Sequence, residues 1–238
     1  MPLTSPDISA ITSLQESQAK DEFTIPVETR EIPQNGLCMV NSKNFEAMAK
    51  KRDDWFSQCY SLIKDMYDNH NGQTVTEDYS FEGLRLRILR DDGFIVMSLT
   101  DGKVDGTIIS APYIEKAEDG YYLYEDYYEV NYLARKANPN GKTVPLEKLC
   151  LAAVERIPKT VPRVCCWVDI SNPSNRNATI LERAYKIMGF HENDDEEAKA
   201  IWSKKGLLSM YAERWVLFRN LLNMVNIEGG DNNGKRNS

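Results

Sequence analysis

The chain has 238 residues, 42% of them hydrophobic and 27% charged, with a formal net charge of −7. This acidic balance disfavours nonspecific binding to phosphate backbones and to anionic membranes, and suits a cationic small molecule or a protein substrate better. No apolar run approaches the roughly 18 residues that a membrane span needs, and the N-terminal residues lack the order of a secretory signal, so we expect a cytoplasmic protein.

The sequence predicts one domain between two polar ends. Residues 1–36 are rich in Ser, Thr, Asp, Glu and Pro and keep no helical or strand period, which indicates a disordered or loosely attached segment. Residues 37–226 carry the apolar periodicities of a single domain. Residues 227–238 are rich in Gly and Asn and predict a disordered tail.

The first half of the domain is predicted to contain a helix and a strand meander. Apolar residues recur at steps of three and four from Ser42 to Asn69, which predicts one long helix. At residues 84–88, leucine and isoleucine alternate with arginine, a pattern typical of a half-buried strand. Residues 94–99 and 104–112 predict two further strands joined by a tight turn at Asp101-Gly102.

A tyrosine-rich segment follows at residues 121–134 and holds six tyrosines among acidic residues. Aromatic side chains pack well on a pleated sheet, so one interpretation is purely structural. The other is a wall of phenol rings and carboxylates that holds an amine. If the strand alternates regularly, its two faces carry Glu129, Asn131 and Leu133 on one side and Tyr128, Val130 and Tyr132 on the other.

The next elements predict a βαβ unit with two parallel strands. A polar loop at residues 135–143 leads into a helix opened by Pro145, then a strand at residues 163–170, and then a helix ended by Gly189. Free backbone N–H groups at the start of the first of these helices would form an anion site, with charge added by Lys142 and by Arg135 or Lys136. A nucleotide P-loop is excluded, because Lys136 stands where its first glycine would fall.

The cysteines and the apolar residues near the C-terminus give two further predictions. The five cysteines form no CxxC motif and lie mostly on apolar faces, which predicts reduced core thiols. Apolar residues from Leu207 to Val225 predict a long amphipathic helix that packs on its own domain or, alternatively, forms a homodimer through residues 206–226.

The order of these elements, with the Asn-rich run NPSNRNATILERAYKIMGF, resembles the GNAT superfamily of acyl-CoA-dependent N-acyltransferases. The most specific piece is YKIMGF at residues 185–190, which is similar to the family motif Tyr-x-x-x-Gly-Phe. The resemblance implies a GNAT-like α/β (α+β) fold: a mixed, mostly antiparallel twisted sheet with a central splayed pair of parallel strands, flanked by helices. It also implies that residues 198–204 form the last strand. The family's pyrophosphate loop is degenerate here, with Thr143 and Pro145 at positions where the family has small residues.

The resemblance further implies direct transfer of an acetyl group from acetyl-CoA to an amine, with no metal. Tyr185 would be the general acid that protonates the departing thiolate, and Glu129, or as second choice Asp126, the general base. Backbone N–H groups around Tyr132 and Leu133 would polarise the thioester carbonyl. The implied coenzyme A site consists of Tyr132, Leu133, Arg135, Asn140, Gly141, Lys142, Thr143, Asn175 and Asn177.

Other functions remain open at this point. A GNAT-like domain without catalysis would be a binding or scaffold protein, and a nucleic-acid-modifying relative is disfavoured by the net charge. Cysteine-based hydrolysis has little support, since the chain has only two histidines to activate a thiol. The acceptor, whether a small-molecule amine or a protein amine, is not determined by the sequence.

Overall fold

The computed structural model describes residues 33–51, 54–68, 80–90, 92–117, 120–136, 144–169, 176–204 and 206–231. The strands within them are β1 (Gly36–Asn41), β2 (Phe94–Thr100), β3 (Lys103–Ala117), β4 (Gly120–Arg135), β5 (Arg163–Asp169), β6 (His191–Glu192) and β7 (Leu207–Glu213). The helices, numbered in chain order, are α1 (Phe45–Lys51), α2 (Trp55–Asp68), α3 (Phe81–Leu89), α4 (Leu146–Arg156), α5 (Arg176–Met188), α6 (Glu196–Lys204) and α7 (Arg214–Asp231).

The strands form a single sheet in the order β1-β2-β3-β4-β5-β7-β6. Neighbouring strands run antiparallel, with the exception of β4 and β5, which are parallel and joined by the crossover helix α4. Helices flank the sheet. The predicted fold class, a mostly antiparallel sheet with a central parallel pair that splays apart, is therefore confirmed.

Two hydrophobic cores lie on opposite faces of the sheet. One joins α4, α5 and α7 to side chains such as Tyr128, Val130 and Val168. The other joins α1, α2 and α3 to side chains of β1, β2 and β3, and includes Ala134 near the end of β4. We call these the α4 face and the α3 face. The buried apolar side chains of the strands therefore divide between two separate layers.

The predicted hairpin between β2 and β3 is confirmed. Thr100 pairs with Lys103, and the two residues between them have left-handed backbones, with φ 51° at Asp101 and 72° at Gly102. Two consecutive left-handed residues are the conformation of a type I′ turn, whose twist matches that of the strands it joins. The Asp-Gly pair supplies the residue types that tolerate it.

The predicted strand at residues 84–88 is wrong, because these residues lie in α3. Ser80 caps the helix by accepting a hydrogen bond from the backbone N–H of Gly83 at 3.0 Å. Leu84 and Ile88, one helical turn apart, are buried, whereas Leu86 between them is 53% exposed. Three apolar residues at alternate positions fit a strand, but the first and third also share one face of a helix, and here that four-residue spacing determines the structure.

Two other predicted elements are corrected at the C-terminal end. Residues 198–204 form helix α6 rather than the last strand, and the last strand is β7. The predicted helix from Leu207 to Val225 therefore begins only at Arg214. In β7 the alternating exposure of Leu207, Leu208 and Ser209 fits a strand that is buried mainly on one face. The predicted dimer surface at residues 206–226 accordingly consists of a strand and a helix.

The long helix predicted from Ser42 to Asn69 is divided into α1 and α2, with a turn at Asp54. The predicted N-terminal segment lies outside the described residues up to residue 32, and the predicted tail does so from residue 232, while α7 reaches Asp231. None of the described helices is long and apolar enough to span a membrane.

Candidate active site

Strands β4 and β5 pair over only three residues and then separate. The pairs are Tyr127 with Arg163, Tyr128 with Val164, and Glu129 with Cys165, and among the described residues no β4–β5 pair follows them. Both strands nevertheless continue in the sheet, because β4 stays paired with β3 as far as Arg135 and β5 with β7 as far as Asp169. We call residues 130–135 of β4 and 166–169 of β5 the fork.

A β-bulge changes the direction of β4 inside the fork. On β3, Thr107 pairs with Ala134 and Ile109 with Asn131, so β4 has one residue more than β3 between these pairs. Tyr132 takes up the extra residue with a φ of 54°. Bulges redirect side chains, and beyond this point the predicted alternation is wrong: Leu133 belongs to the α4 face, whereas Tyr132 packs against the α3 face.

Glu129 lies at the base of the fork on the α3 face and is 4% exposed. Its Oε1 is in direct contact with the guanidinium of Arg87 on α3, and its Oε2 accepts a hydrogen bond from Asn131 Nδ2 at 3.2 Å. The Arg87 guanidinium also lies 5.5 Å from the centre of the Tyr132 ring. A contacting guanidinium stabilises a carboxylate in its charged form, which makes that carboxylate a weaker proton acceptor.

Tyr185 lies on α5 on the α4 face and is 4% exposed. Its ring centroid is 5.2 Å from that of Phe190, the last residue of the YKIMGF motif. Gly189 between them has a φ of 111°, so the predicted left-handed end of the helix is confirmed. Tyr185 and Glu129 therefore lie on opposite faces of the sheet, and Glu129 borders the opening between β4 and β5.

The other predicted site residues divide into three groups. Tyr132, Leu133 and Arg135 lie on the fork, as their positions in β4 require. Asp126 is exposed and precedes the paired residues, so three β4–β5 pairs separate it from the fork. Asn140, Gly141, Lys142, Thr143 and Asn175 lie outside the described residues, and of Asn177 only its place in the first turn of α5 is described.

The start of α4 lies where the predicted anion site requires a helix terminus. Pro145 is the N-cap residue, with φ −54° and ψ 147°, and its carbonyl accepts a hydrogen bond from Leu149 N at 3.2 Å. The predicted helix start at Pro145 is thus confirmed. Proline has no N–H of its own, so any anion held here must use other donors, from neighbouring backbone groups or from basic side chains.

Sequence reasoning missed a group of aromatic residues on the α3 side of the sheet. Trp167 of β5 lies with its ring centroid 5.4 Å from that of Tyr113 and 5.2 Å from that of Trp202 on α6. Tyr113 also contacts Tyr127, with centroids 6.4 Å apart. These four half-buried rings form what we call the aromatic surface. Their distant sequence positions explain why only the tyrosines of β4 suggested such a wall.

The cysteines are free and buried, so the predicted core thiols are confirmed. Burial raises the pKa of the Cys59 and Cys150 thiols to about 12. Burial, followed by the charge of Glu129, raises the pKa of the Cys165 thiol well above its usual value. Nucleophilic cysteines need a lowered pKa, so these thiols are unsuited to hydrolysis. No group of three or more potential metal ligands occurs in the described part of the chain.

Comparison with known proteins gives matches to solved structures alone. No protein-family model and no curated protein matches the chain. The chain is similar to the PaiA N-acetyltransferase from Thermoplasma acidophilum, solved in complex with coenzyme A, at 14% identity over 75% of this chain and 99% of that one, with a TM-score of 0.47.

Two further structures give comparable values. One is the catalytic domain of the Tetrahymena GCN5 histone acetyltransferase in complex with coenzyme A, at 12% identity over 77% of this chain and 95% of that one, with a TM-score of 0.45. The other is an acetyltransferase from Streptococcus agalactiae, at 13% identity over 75% and 98%, with a TM-score of 0.48. Because these TM-scores lie below 0.5, the fold is assigned from the strand order and pairing themselves.

Three observations on this chain agree. The strand order places one parallel pair at the centre of an otherwise antiparallel sheet. That pair separates after three residues, and β4 is bulged in the part of the strand that follows the separation. The YKIMGF motif lies on the helix that follows β5 and leads into β6. By this architecture, the chain has the fold of the GNAT superfamily.

Proposed function

We propose that the protein is an acyl-CoA-dependent N-acyltransferase that moves an acetyl group from acetyl-CoA to an amine. The observation that carries this proposal is the separation of β4 from β5 after Glu129 and Cys165. Inside a sheet, two separated parallel strands expose backbone N–H and C=O groups that need partners. The pantetheine arm of coenzyme A is a narrow chain with two amides, and it supplies such partners in the manner of an added strand.

The residues of the chain then have distinct roles. Backbone N–H groups around Tyr132 and Leu133, where the bulge changes the strand direction, would polarise the thioester carbonyl. Arg135, Lys136 and residues 140–143, with the start of α4, would hold the phosphates through charge-assisted hydrogen bonds. Asn175 and Asn177 are proposed as further coenzyme A contacts. A net charge of −7 makes such local basic groups necessary for an anionic ligand.

The chemical step is a direct transfer. The amine nitrogen bonds to the acetyl carbon, the carbon–sulfur bond breaks, and the amine proton passes to a carboxylate or through water to solvent. Tyr185 would donate its phenolic proton to the departing sulfur and regain a proton from solvent. Glu129 stands as the first candidate for the base and Asp126 as the second. The contact with Arg87 weakens the first candidate, and the position before the paired residues weakens the second.

The acceptor is proposed to be a small-molecule or protein amine that approaches along the aromatic surface. Its rings lie on the same side of the sheet as Glu129, and aromatic faces attract an ammonium group before it loses its proton. Exposed acidic residues, among them Glu125 and Asp126, would add attraction for a cation. No particular amine is favoured by these features alone.

Calorimetry and mass spectrometry together test the proposal. We expect coenzyme A to bind the folded protein with measurable heat, and 3′-phosphoadenosine 5′-diphosphate, which lacks the pantetheine arm, to bind more weakly. Incubation with acetyl-CoA and a panel of polyamines, amino acids, peptides with free N-termini and lysine peptides should then give products about 42 Da heavier, because an acetyl group replaces one hydrogen of the amine. A folded sample that gives no heat with either ligand would disprove the proposal.

Binding without catalysis is a second candidate function, favoured by the ion pair of Glu129 with Arg87. It predicts coenzyme A binding with no acetylated product from any amine in the panel. A nucleic-acid-modifying activity is a weaker alternative, because the acidic balance opposes contact with phosphate backbones. Retention of labelled DNA on a filter at low salt would support it.

A further inference from the structure

We propose that Arg87 of α3 is a positioning residue that keeps the fork open in the free protein, and that Glu129 serves as its partner in this role. The inference rests on the proposed function, since it concerns how the coenzyme A cleft is preformed. Arg87 lies on α3 and therefore on neither of the two strands that form the fork, although its sequence pattern predicts a strand.

Arg87 contacts β4 on both sides of the point where the strands separate. Below that point, its guanidinium contacts Glu129, which belongs to the last pair between β4 and β5. Above it, the same guanidinium lies 5.5 Å from the ring centre of Tyr132, the bulged residue. One planar cation therefore fixes the two ends of the segment in which β4 turns away from β5.

The end of α3 is itself held against β4, so the backbone that carries the Arg87 side chain is fixed in place. The Tyr128 hydroxyl, one residue before Glu129, donates a hydrogen bond to the backbone carbonyl of Asp92, just beyond the helix. Gly93 packs so closely on the backbone carbonyl of Arg87 that a Cβ atom would overlap it. These contacts leave the Arg87 side chain little freedom to follow β4 if the strand were to move toward β5.

The burial of the Arg87–Glu129 pair favours a structural role for Glu129 over a role in proton transfer. The Arg87 and Glu129 side chains are 10% and 5% exposed, and both carboxylate oxygens of Glu129 have partners, Arg87 and Asn131. A base must release its partners before it can accept a proton from an amine. A positioning group needs only to remain charged and in place.

An arginine of the same helix provides a matched control. Arg85, like Arg87, has glutamate partners and lies over an aromatic ring, with Glu82 at 2.9 Å and the Phe45 ring centre at 5.7 Å. Its side chain is 33% exposed, and it contacts no residue of β4 that the structure describes. Arg85→Met therefore removes similar interactions at a similar site without touching the fork.

The first measurement is coenzyme A affinity by calorimetry in Arg87→Met, Glu129→Gln, their double variant and Arg85→Met. If the fork is open in about a tenth of Arg87→Met molecules, that variant binds about tenfold more weakly, because affinity scales with the competent fraction. We expect Glu129→Gln to show a similar loss and the double variant to bind no worse than the weaker single variant. Arg85→Met should stay within about twofold of the wild type.

The second measurement is amide hydrogen exchange of the free proteins, which needs no ligand. Loss of Arg87 should change the protection of residues 130–135 and 166–169, while loss of Arg85 should not. This result would stand even if the wild type did not bind coenzyme A, so failure of the proposed function and failure of this inference are distinguishable. If Arg87→Met does not fold, Arg87→Lys, which keeps the charge but not the planar fork, should give an intermediate change.

Two results would overturn the inference. One is a folded Arg87→Met or Arg87→Lys variant with wild-type affinity and wild-type exchange at the fork. The other is a Glu129→Gln variant with wild-type affinity in which kcat falls and the acidic limb of the pH profile of kcat/KM disappears, since that loss identifies Glu129 as the base. If Glu129 only positions the fork, the profile of Glu129→Gln keeps its shape.

Discussion

Strand β4 differs on its two sides. Toward β3 it is paired along most of its length, from Gly120 to Arg135, whereas toward β5 it is paired at three residues. The long pairing holds the strand in the sheet, and the short one leaves residues 130–135 and 166–169 without pairing to each other. A sheet can therefore contain an opening at its centre without losing a strand, provided that each strand beside the opening keeps a partner on its other side.

The largest expected effect is at the base of the fork. Glu129→Ala leaves the Arg87 guanidinium buried without its carboxylate, and we expect the free energy of unfolding to fall by about 3–5 kcal/mol. Urea unfolding followed by circular dichroism measures this. Glu82→Ala removes the exposed partner of Arg85 and should cost less than about 1 kcal/mol. Equal losses in the two variants would contradict a special role for the fork pair.

The next effect concerns the reaction itself. Tyr185→Phe removes one hydroxyl from the α4 face, and if that hydroxyl protonates the leaving sulfur, kcat should fall about 10²-fold while the Kd for coenzyme A changes little. Steady-state kinetics and calorimetry separate the two quantities. Tyr211→Phe, on β7 and hydrogen-bonded to Asp194 at 3.2 Å, serves as the control. An unchanged kcat would remove Tyr185 from the mechanism.

A smaller effect is expected on the β3 side, where β4 is held. Gly106 pairs with Arg135, and a Cβ atom at this glycine would lie 2.5 Å from Ser98 Oγ, which donates a hydrogen bond to buried Asp105 at 2.5 Å. Gly106→Ala should therefore destabilise the fold by about 1–3 kcal/mol through overpacking. Thermal unfolding measures it. Ser98→Ala removes the obstructing oxygen but also its hydrogen bond to Asp105, so the single and double variants are compared in a double-mutant cycle, and additive losses would contradict this explanation.

The smallest effect per residue concerns the thiols of β5. Burial raises the pKa of Cys165 and Cys166 well above the usual 9.0, so the unfolded chain releases these protons at a lower pH than the folded one. The contribution of these thiols to the free energy of unfolding is fully present below about pH 9. Above that pH the free energy of unfolding should fall by about 1.4 kcal/mol per pH unit for each thiol. Urea midpoints between pH 8 and 10 test this. Cys166→Ala should show a shallower decline, and an unchanged slope would contradict the assignment.

Sequence patterns predicted the elements around the fork well, because each carries a local signal. Pro145 and Gly189 mark a helix start and a helix end through backbone preferences that hold in any context, and the Asp-Gly turn does the same for the β2–β3 hairpin. The apolar run of β5 between them has one consistent interpretation. These local signals define the βαβ unit that contains the fork.

The elements that were predicted wrongly depend on distant partners. Residues 84–88 fit a strand and a helix equally, and the burial of Leu84 and Ile88 under the sheet favours the helix. That error concealed Arg87, whose partner Glu129 is 42 residues away. The bulge at Tyr132 likewise depends on the register with β3, which no local pattern of β4 contains. Contacts between distant segments are therefore what the sequence leaves undetermined at this site.

The short β4–β5 pairing also has a consequence for solubility. Residues 130–135 and 166–169 are in effect two edge strands placed inside the sheet, and open strand edges are templates for association with other chains. Helices of the two cores pack on both faces of the sheet, whereas these edges lie between its strands. An occupant that satisfies the open backbone groups should therefore raise the temperature at which the protein aggregates, beyond its effect on the unfolding equilibrium alone.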